Sequence, residues 1–163
     1  LAIVFKDSMP NNSYTIDQIN TNVESINAGI EICDSRLQGW PSCDPTWQLA
    51  DNLTHGGYVL GGGVNSSNQK LSIELLNRGD FAIAIASGNN PPRYSLQKSR
   101  EHPFKEISKL FLWLVSDLVL KNDKINAGDI ITTGSFSGST PIEKGETASV
   151  TFKDIGTATV TFI

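Results

Sequence analysis

The last third of the chain consists of short apolar runs cut by single glycines, and this limits what it can fold into. Asp129 to Thr133, Thr147 to Phe152 and Thr157 to Phe162 are rich in branched and apolar side chains, with Gly134, Gly138, Gly145 and Gly156 between and beside them. Runs of this length and composition, bounded by glycine, read as strands. Strands that follow one another without an intervening helix favour antiparallel neighbours, because a parallel connection needs a crossover of a dozen or more residues. The chain carries two helical patterns and no regular strand–helix alternation. It therefore reads as α+β, one domain over residues 1–163, with a largely antiparallel or mixed sheet and two packed helices.

The first helical pattern opens at Thr15, which with Gln18 forms a capping box, and Ile16, Ile19, Val23 and Ile26 recur at helical spacing. This predicts a helix from about Ile16 to Asn27, ended by Gly29. Ile30 to Cys33 then reads as a strand with Glu31, Cys33 and Ser35 on one face. Trp40 to Asn52 reads as irregular, and Tyr58 to Leu60 as a short strand between glycine clusters. Leu71 to Leu76 and Phe81 to Ala86 read as a hairpin around Asn77-Arg78-Gly79-Asp80, followed by a loop over Ser87 to Pro92. Pro103 opens the second helix, with Phe104, Ile107, Phe111, Leu114 and Leu118 on one face. Leu1 to Phe5 reads as a strand already in progress.

Composition excludes several partners. Only 18% of residues are charged and the formal net charge is −4, so the chain has no basic stripe for nucleic acid or an anionic membrane. Its longest apolar run, Leu110 to Val115, is far short of a bilayer span. Cys33 and Cys43 are too few for a disulfide scaffold and have no zinc spacing. Glycosylation triplets begin at Asn11, Asn52 and Asn65, but Asn, Ser and Thr are common enough here for such triplets to arise by chance. A reduced, cytoplasmic setting is expected.

Most motifs have a plain structural reading. The run from His55 through Gly63 is glycine-rich, yet no Lys-Ser or Lys-Thr follows it and no helix is predicted behind it, so close packing around a strand explains it better than a phosphate loop. Arg78-Gly79-Asp80 has the composition of a tight turn. His55 and His102 stand far apart without a Cys-His cluster, and His102, beside Pro103, is placed to cap exposed amides. Glu31 is different, because a carboxylate in an apolar strand must be paired, protonated or metal-bound. Taken alone it favours an ion pair with Arg36 or a lysine. Asp51 and Thr54, before the glycine run, and Thr133 and Ser135, after a strand, are further oxygen donors near turns, where they could equally satisfy backbone groups.

Together these stretches resemble the 2-oxopent-4-enoate hydratase and 4-oxalocrotonate decarboxylase group of the fumarylacetoacetate hydrolase superfamily. The resemblance is carried by Gly29-Ile30-Glu31-Ile32-Cys33-Asp34-Ser35-Arg36-Leu37, by Ala50-Asp51-Asn52 leading into Gly57-Tyr58-Val59-Leu60-Gly61-Gly62, and by His102-Pro103. It continues through Ala127-Gly128-Asp129-Ile130-Ile131-Thr132-Thr133-Gly134-Ser135-Phe136 and ends with Gly156 to Phe162. It implies a β-rich roll whose three glutamates hold Mg²⁺ or Mn²⁺, with Glu31 as the third metal ligand. The other two belong to a Glu-x-Glu motif that the family places before the strand matching Leu1 to Phe5, so the chain is expected to be a hydratase/decarboxylase-like domain truncated at its N-terminus. The family's catalytic lysine belongs to that N-terminal region too.

On this pattern the substrate is a small 2-oxo acid of aromatic catabolism. Its 1-carboxylate and 2-oxo oxygen chelate the cation, and water addition or decarboxylation proceeds through an enolate. Asp51 would orient a water or Thr54, and Thr133 and Ser135 would hydrogen-bond the substrate carboxylate. A homo-oligomer, or a complex with a related family member, is expected, favoured by apolar surface around Leu1 to Phe5. C–C bond hydrolysis needs a His-Glu arrangement that the sequence does not make visible. The reading from another class is a non-catalytic fragment or partner subunit that keeps the fold.

Overall fold

The computed structural model describes all residues except 11, 68–70, 78 and 99–101, and of residue 119 only the backbone. The triplet beginning at Asn11 and the Arg78 of the expected turn thus lie outside the described residues. Among the described residues, eight strands form two four-stranded antiparallel sheets, with three α-helices around them. The first sheet has the order β3-β2-β1-β6, built from β1 (Ala2–Phe5), β2 (Val23–Cys33), β3 (His55–Asn65) and β6 (Ile130–Thr132). The second has the order β5-β4-β7-β8, from β4 (Phe81–Ser87), β5 (Tyr94–Lys98), β7 (Glu146–Phe152) and β8 (Gly156–Thr161). The expected α+β class and antiparallel bias are what is found.

The core is continuous. Ile3, Phe5, Ile19, Val23, Ile26, Ile73 and Leu76 are fully buried. Phe5 stacks on Phe111 with ring centroids 5.7 Å apart, and Phe81, Phe136 and Phe152 pack edge-on or tilted beside them. Helix α3 (Ile107–Leu120) buries Ile107, Phe111 and Val115, which recur every four residues and so share one face. The expectation that Leu1 to Phe5 exposes apolar surface is corrected: Leu1, Ala2, Ile3 and Phe5 are buried, with Leu1, Ile3 and Phe5 part of the core and Phe5 stacked on Phe111 of α3.

Several boundaries differ from the pattern reading, each for a physical reason. Helix α1 (Ile16–Asn22) has the capping box at Thr15, but it stops at Asn22 rather than Asn27. Val23 and Ile26 have helical spacing, but both are β-branched, and pairing with β1 on one edge and β3 on the other favours the strand. Gly29 is inside β2, not at a helix end. The hairpin over Leu71 to Ala86 does not form. Ile73–Asn77 is a 3-10 turn whose Ile73 and Leu76, three apart, are buried together, while β4 pairs with β5 and β7. The second helix begins at Ile107, leaving Phe104 exposed.

Strand β3 runs well beyond Tyr58 to Leu60, and its glycines explain the length. A Cβ at Gly61 would lie 2.5 Å from Ala158, so β8 crosses β3 at a distance no side chain would allow. The stretch expected to be irregular contains α2 (Pro45–Ala50), with Asp44 accepting from Thr46 N–H and proline in the first turn. Strand β5 was not foreseen, being short, polar and preceded by prolines. Cys33 and Cys43 are free thiols, and no described helix is long and apolar enough to cross a membrane.

Candidate functional site

Antiparallel pairing brings every candidate residue toward one end of the first sheet. Strand β2 runs against both β1 and β3, and β6 runs against β1, so the end of β2 meets the start of β3, while the end of β6 points the same way but is level with Asn27, short of Glu31 along β2. Glu31 comes from the first of these, Asp51 and Thr54 from just before the second, and Thr133 and Ser135 from just after the third. In the β2–β3 register Glu31 faces Tyr58 and Cys33 faces His55.

Glu31 is about half exposed, and its Oε1 lies 2.9 Å from His55 Nδ1, with the histidine side chain 41% exposed. A carboxylate acceptor requires the proton on Nδ1, which leaves Nε2 as a free acceptor in the neutral ring. The expected ion pair between Glu31 and Arg36 is corrected. Arg36 lies past the end of β2, where the chain bends back over residues 51–55, and its guanidinium pairs with Asp51. Tyr58 packs over Gly29, where an added Cβ would lie 2.0 Å from the phenol oxygen. Burial, and then the charge of Glu31, push that phenol up to about 12.

Asp51 is enclosed, its side chain only 3% exposed. Its carboxylate accepts from Ser35 Oγ at 2.9 Å, from Arg36 N–H and from Arg36 Nε. The hydrogen bond from Arg36 holds its carboxyl below the ordinary value, aided by Ser35 and the guanidinium charge and opposed by burial. The next three residues, Asn52, Leu53 and Thr54, have φ of 54°, 53° and 68°. None is glycine, and the left-handed region costs an L residue roughly 1–2 kcal/mol.

Thr133 and Ser135 make bonds of another kind. Thr133 is buried, and its hydroxyl and amide both donate to Leu1 O. Ser135 Oγ accepts from Gly138 N–H at 2.9 Å and closes a turn. His102 joins this end of the sheet: Nε2 donates to Thr133 O at 2.9 Å and Nδ1 accepts from Phe104 N–H at 3.0 Å, so one neutral tautomer satisfies both bonds. His102 does hold a free amide, though ahead of α3 rather than at its first turn. His55 and Tyr58 were missed as site residues. Reading the glycine run as a strand from His55 and pairing it with Ile30 to Cys33 would have set both opposite Glu31 and Cys33.

Among the described residues, no three His, Cys, Asp or Glu side chains gather where they could hold a metal ion. Mg²⁺ demands near-octahedral oxygen coordination, and among the described residues Glu31 is not joined by two further metal-ligating side chains. The described side chains do not by themselves fit a resident divalent cation.

No protein-family model matches the chain. The chain is 24% identical to 2-keto-4-pentenoate hydratase 2 of Dechloromonas aromatica (strain RCB), over 99% of this chain and 58% of the relative. 2-Keto-4-pentenoate hydratase 1 of the same organism is also 24% identical, over 99% of this chain and 58% of its own length. The chain thus spans somewhat over half the length of the curated relatives it matches. Among solved structures, 4-oxalocrotonate decarboxylase from Pseudomonas putida G7, complexed with magnesium and adipate, shares the fold with a TM-score of 0.71 at 18% identity, covering 99% of this chain and 58% of the neighbour. The same decarboxylase complexed with calcium and acetate gives 0.69. Over 99% of its length, then, the chain is similar to hydratases, and shares the fold of a decarboxylase, of the fumarylacetoacetate hydrolase superfamily.

Proposed function

We propose that this chain carries the acid–base side of an enzyme that adds water to a 2-hydroxy or 2-oxo dienoic acid, or decarboxylates a related 2-oxo acid. The observation that carries the reading is the Glu31–His55 pair at 2.9 Å on the solvent-open end of the first sheet. Hydration of a conjugated 2-oxo acid needs one group to take a proton from water and to return one to the carbon of the enolate. His55 Nε2 can do both, while Glu31 fixes the tautomer and stabilises the imidazolium that forms. Thr133 and Ser135, at the same sheet end, line the side on which a substrate carboxylate would rest. Asp51 and Thr54 belong to the turn that carries His55. In this reading Mg²⁺ or Mn²⁺ is required, with Glu31 as one ligand and the others not among the described side chains.

The same pair also favours a second reading, C–C bond hydrolysis of a diketo acid, because it is the His-Glu arrangement that chemistry requires. The test is turnover by the protein at its native length, with dienoate or diketo acid, Mg²⁺ or Mn²⁺, and chelator. Expected is metal-dependent loss of dienoate absorbance, abolished in Glu31→Ala and lowered by at least about a hundredfold in His55→Ala, the low end for general acid–base catalysis. Full turnover in either variant refutes the site. Cleavage of the diketo acid alone moves the assignment to the hydrolase reading. No turnover of either substrate by the folded protein favours a non-catalytic subunit.

A further inference from the structure

His55 is aimed at Glu31 by a turn that its own residues disfavour. Asn52, Leu53 and Thr54 are all left-handed, and burial does not hold them there, since Leu53 is 66% exposed and the preceding helix α2 buries none of its residues. The turn is held from residues 34–36. Asp34 N–H donates to Thr54 O at 2.8 Å, Arg36 Nη1 donates to His55 O at 3.0 Å, and Arg36 Nη2 donates to Asp51 O. Arg36 is in turn fixed by the enclosed Asp51 carboxylate, which Ser35 also bonds. One planar guanidinium thus spans both sides of the turn, a geometry that lysine cannot reproduce.

We propose that Arg36 and Asp51 are positioning residues, a clamp that holds the left-handed turn and through it keeps His55 on Glu31. Asp51 exchanges no proton with substrate, because every bond its carboxylate makes is spent on residues 35 and 36. Strained backbone persists only where its surroundings over-determine it, and here the clamp does so. The proposal rests on the Glu31–His55 reading but is tested without turnover.

The chain has only two histidines, and the structure gives them opposite neutral tautomers, Nδ1–H for His55 and Nε2–H for His102. Nitrogen-15 NMR distinguishes the two. In Arg36→Lys and Asp51→Asn, His55 is expected to lose the Nδ1–H form while His102 keeps Nε2–H as witness that the fold stands. If these variants do not fold, Leu53→Gly, which removes the left-handed penalty, supplies the background. Alone it keeps Nδ1–H at His55, and combined with Asp51→Asn it loses it. Retention of Nδ1–H in any folded clamp variant, or its absence from the wild type, overturns the proposal. A tautomer that stays put while Glu31→Ala abolishes turnover removes the clamp and spares the function. A tautomer that shifts in a protein without turnover does the reverse.

Discussion

Gly29→Ala tests the packing behind Glu31. The new Cβ would lie 2.0 Å from Tyr58 Oη, 2.4 Å from Cζ and 2.7 Å from Cε1, whereas ordinary contact begins at 3.4 Å. The obstacle is the far end of a side chain, so the ring can leave, but it must move by about 1.4 Å and give up its place over β2. Forcing a methyl into packed space typically costs about 1–3 kcal/mol. The same movement exposes the phenol. Burial is the larger reason that Tyr58 titrates at about 12, so in the variant its titration should fall toward the ordinary 10. The sign follows from proton counting. In the wild type the folded state holds the phenol proton more tightly than the unfolded one, so this stabilisation is complete below pH 10 and is lost as pH rises through about 12. Urea unfolding at neutral pH reads the first effect, and alkaline absorbance titration of the three tyrosines reads the second. A variant with unchanged stability whose Tyr58 still titrates near 12 would refute the reasoning.

Two further outcomes follow from the core and the second sheet. Phe5→Ala removes a fully buried ring stacked on Phe111 and should cost about 3–5 kcal/mol in denaturant melts, with a loss of less than 1 kcal/mol counting against the stack. Glu146 is held to about 2 chiefly by its hydrogen bond from Arg93, then by Glu143 N–H. Its folded value is depressed, so its stabilisation is full above about 4.5 and is lost as pH falls toward 2. Glu146→Gln should therefore flatten this part of the acid limb of thermal stability, and an unchanged limb would refute it.

Where a residue's behaviour depends on its immediate neighbours, the sequence is a good guide. The Thr15–Gln18 box, the strands beginning near Ile130, Glu146 and Gly156, and Ile107 and Phe111 on the buried face of α3 follow from local pattern, whereas Val115 on that face lies outside the expected pattern and Phe104 is exposed. Legibility fails where distant pairing decides. Val23 and Ile26, three apart, have the spacing of a helix, and pairing with β1 and β3 on either side selects the strand instead. The Glu31 partner fails for the same reason: Arg36 is near in sequence, but the chain bends between them, and His55, 24 residues away, is the true neighbour. Left-handed φ at Leu53 and Thr54 has no sequence signal, and only Asn52, a residue type that tolerates that region, hints at the turn.

The geometry of Glu31 also shows why its two proposed roles need not compete. A carboxylate has about four acceptor sites on two oxygens, and His55 occupies one of them through Oε1. Glu31, about half exposed, can keep this bond and still have Oε2 as a further acceptor. A histidine that fixes the orientation of a ligating carboxylate and one that passes a proton at Nε2 are therefore the same histidine, used on its two sides. The arrangement depends on rigidity at three points: Tyr58 over Gly29, the guanidinium across residues 51–55, and Thr133 tied to Leu1 and His102. Each fixes a different strand end against its neighbour. Loosening any one should misplace one group relative to the others without unfolding the sheet, and an error of about 1 Å can cost on the order of 100-fold in rate.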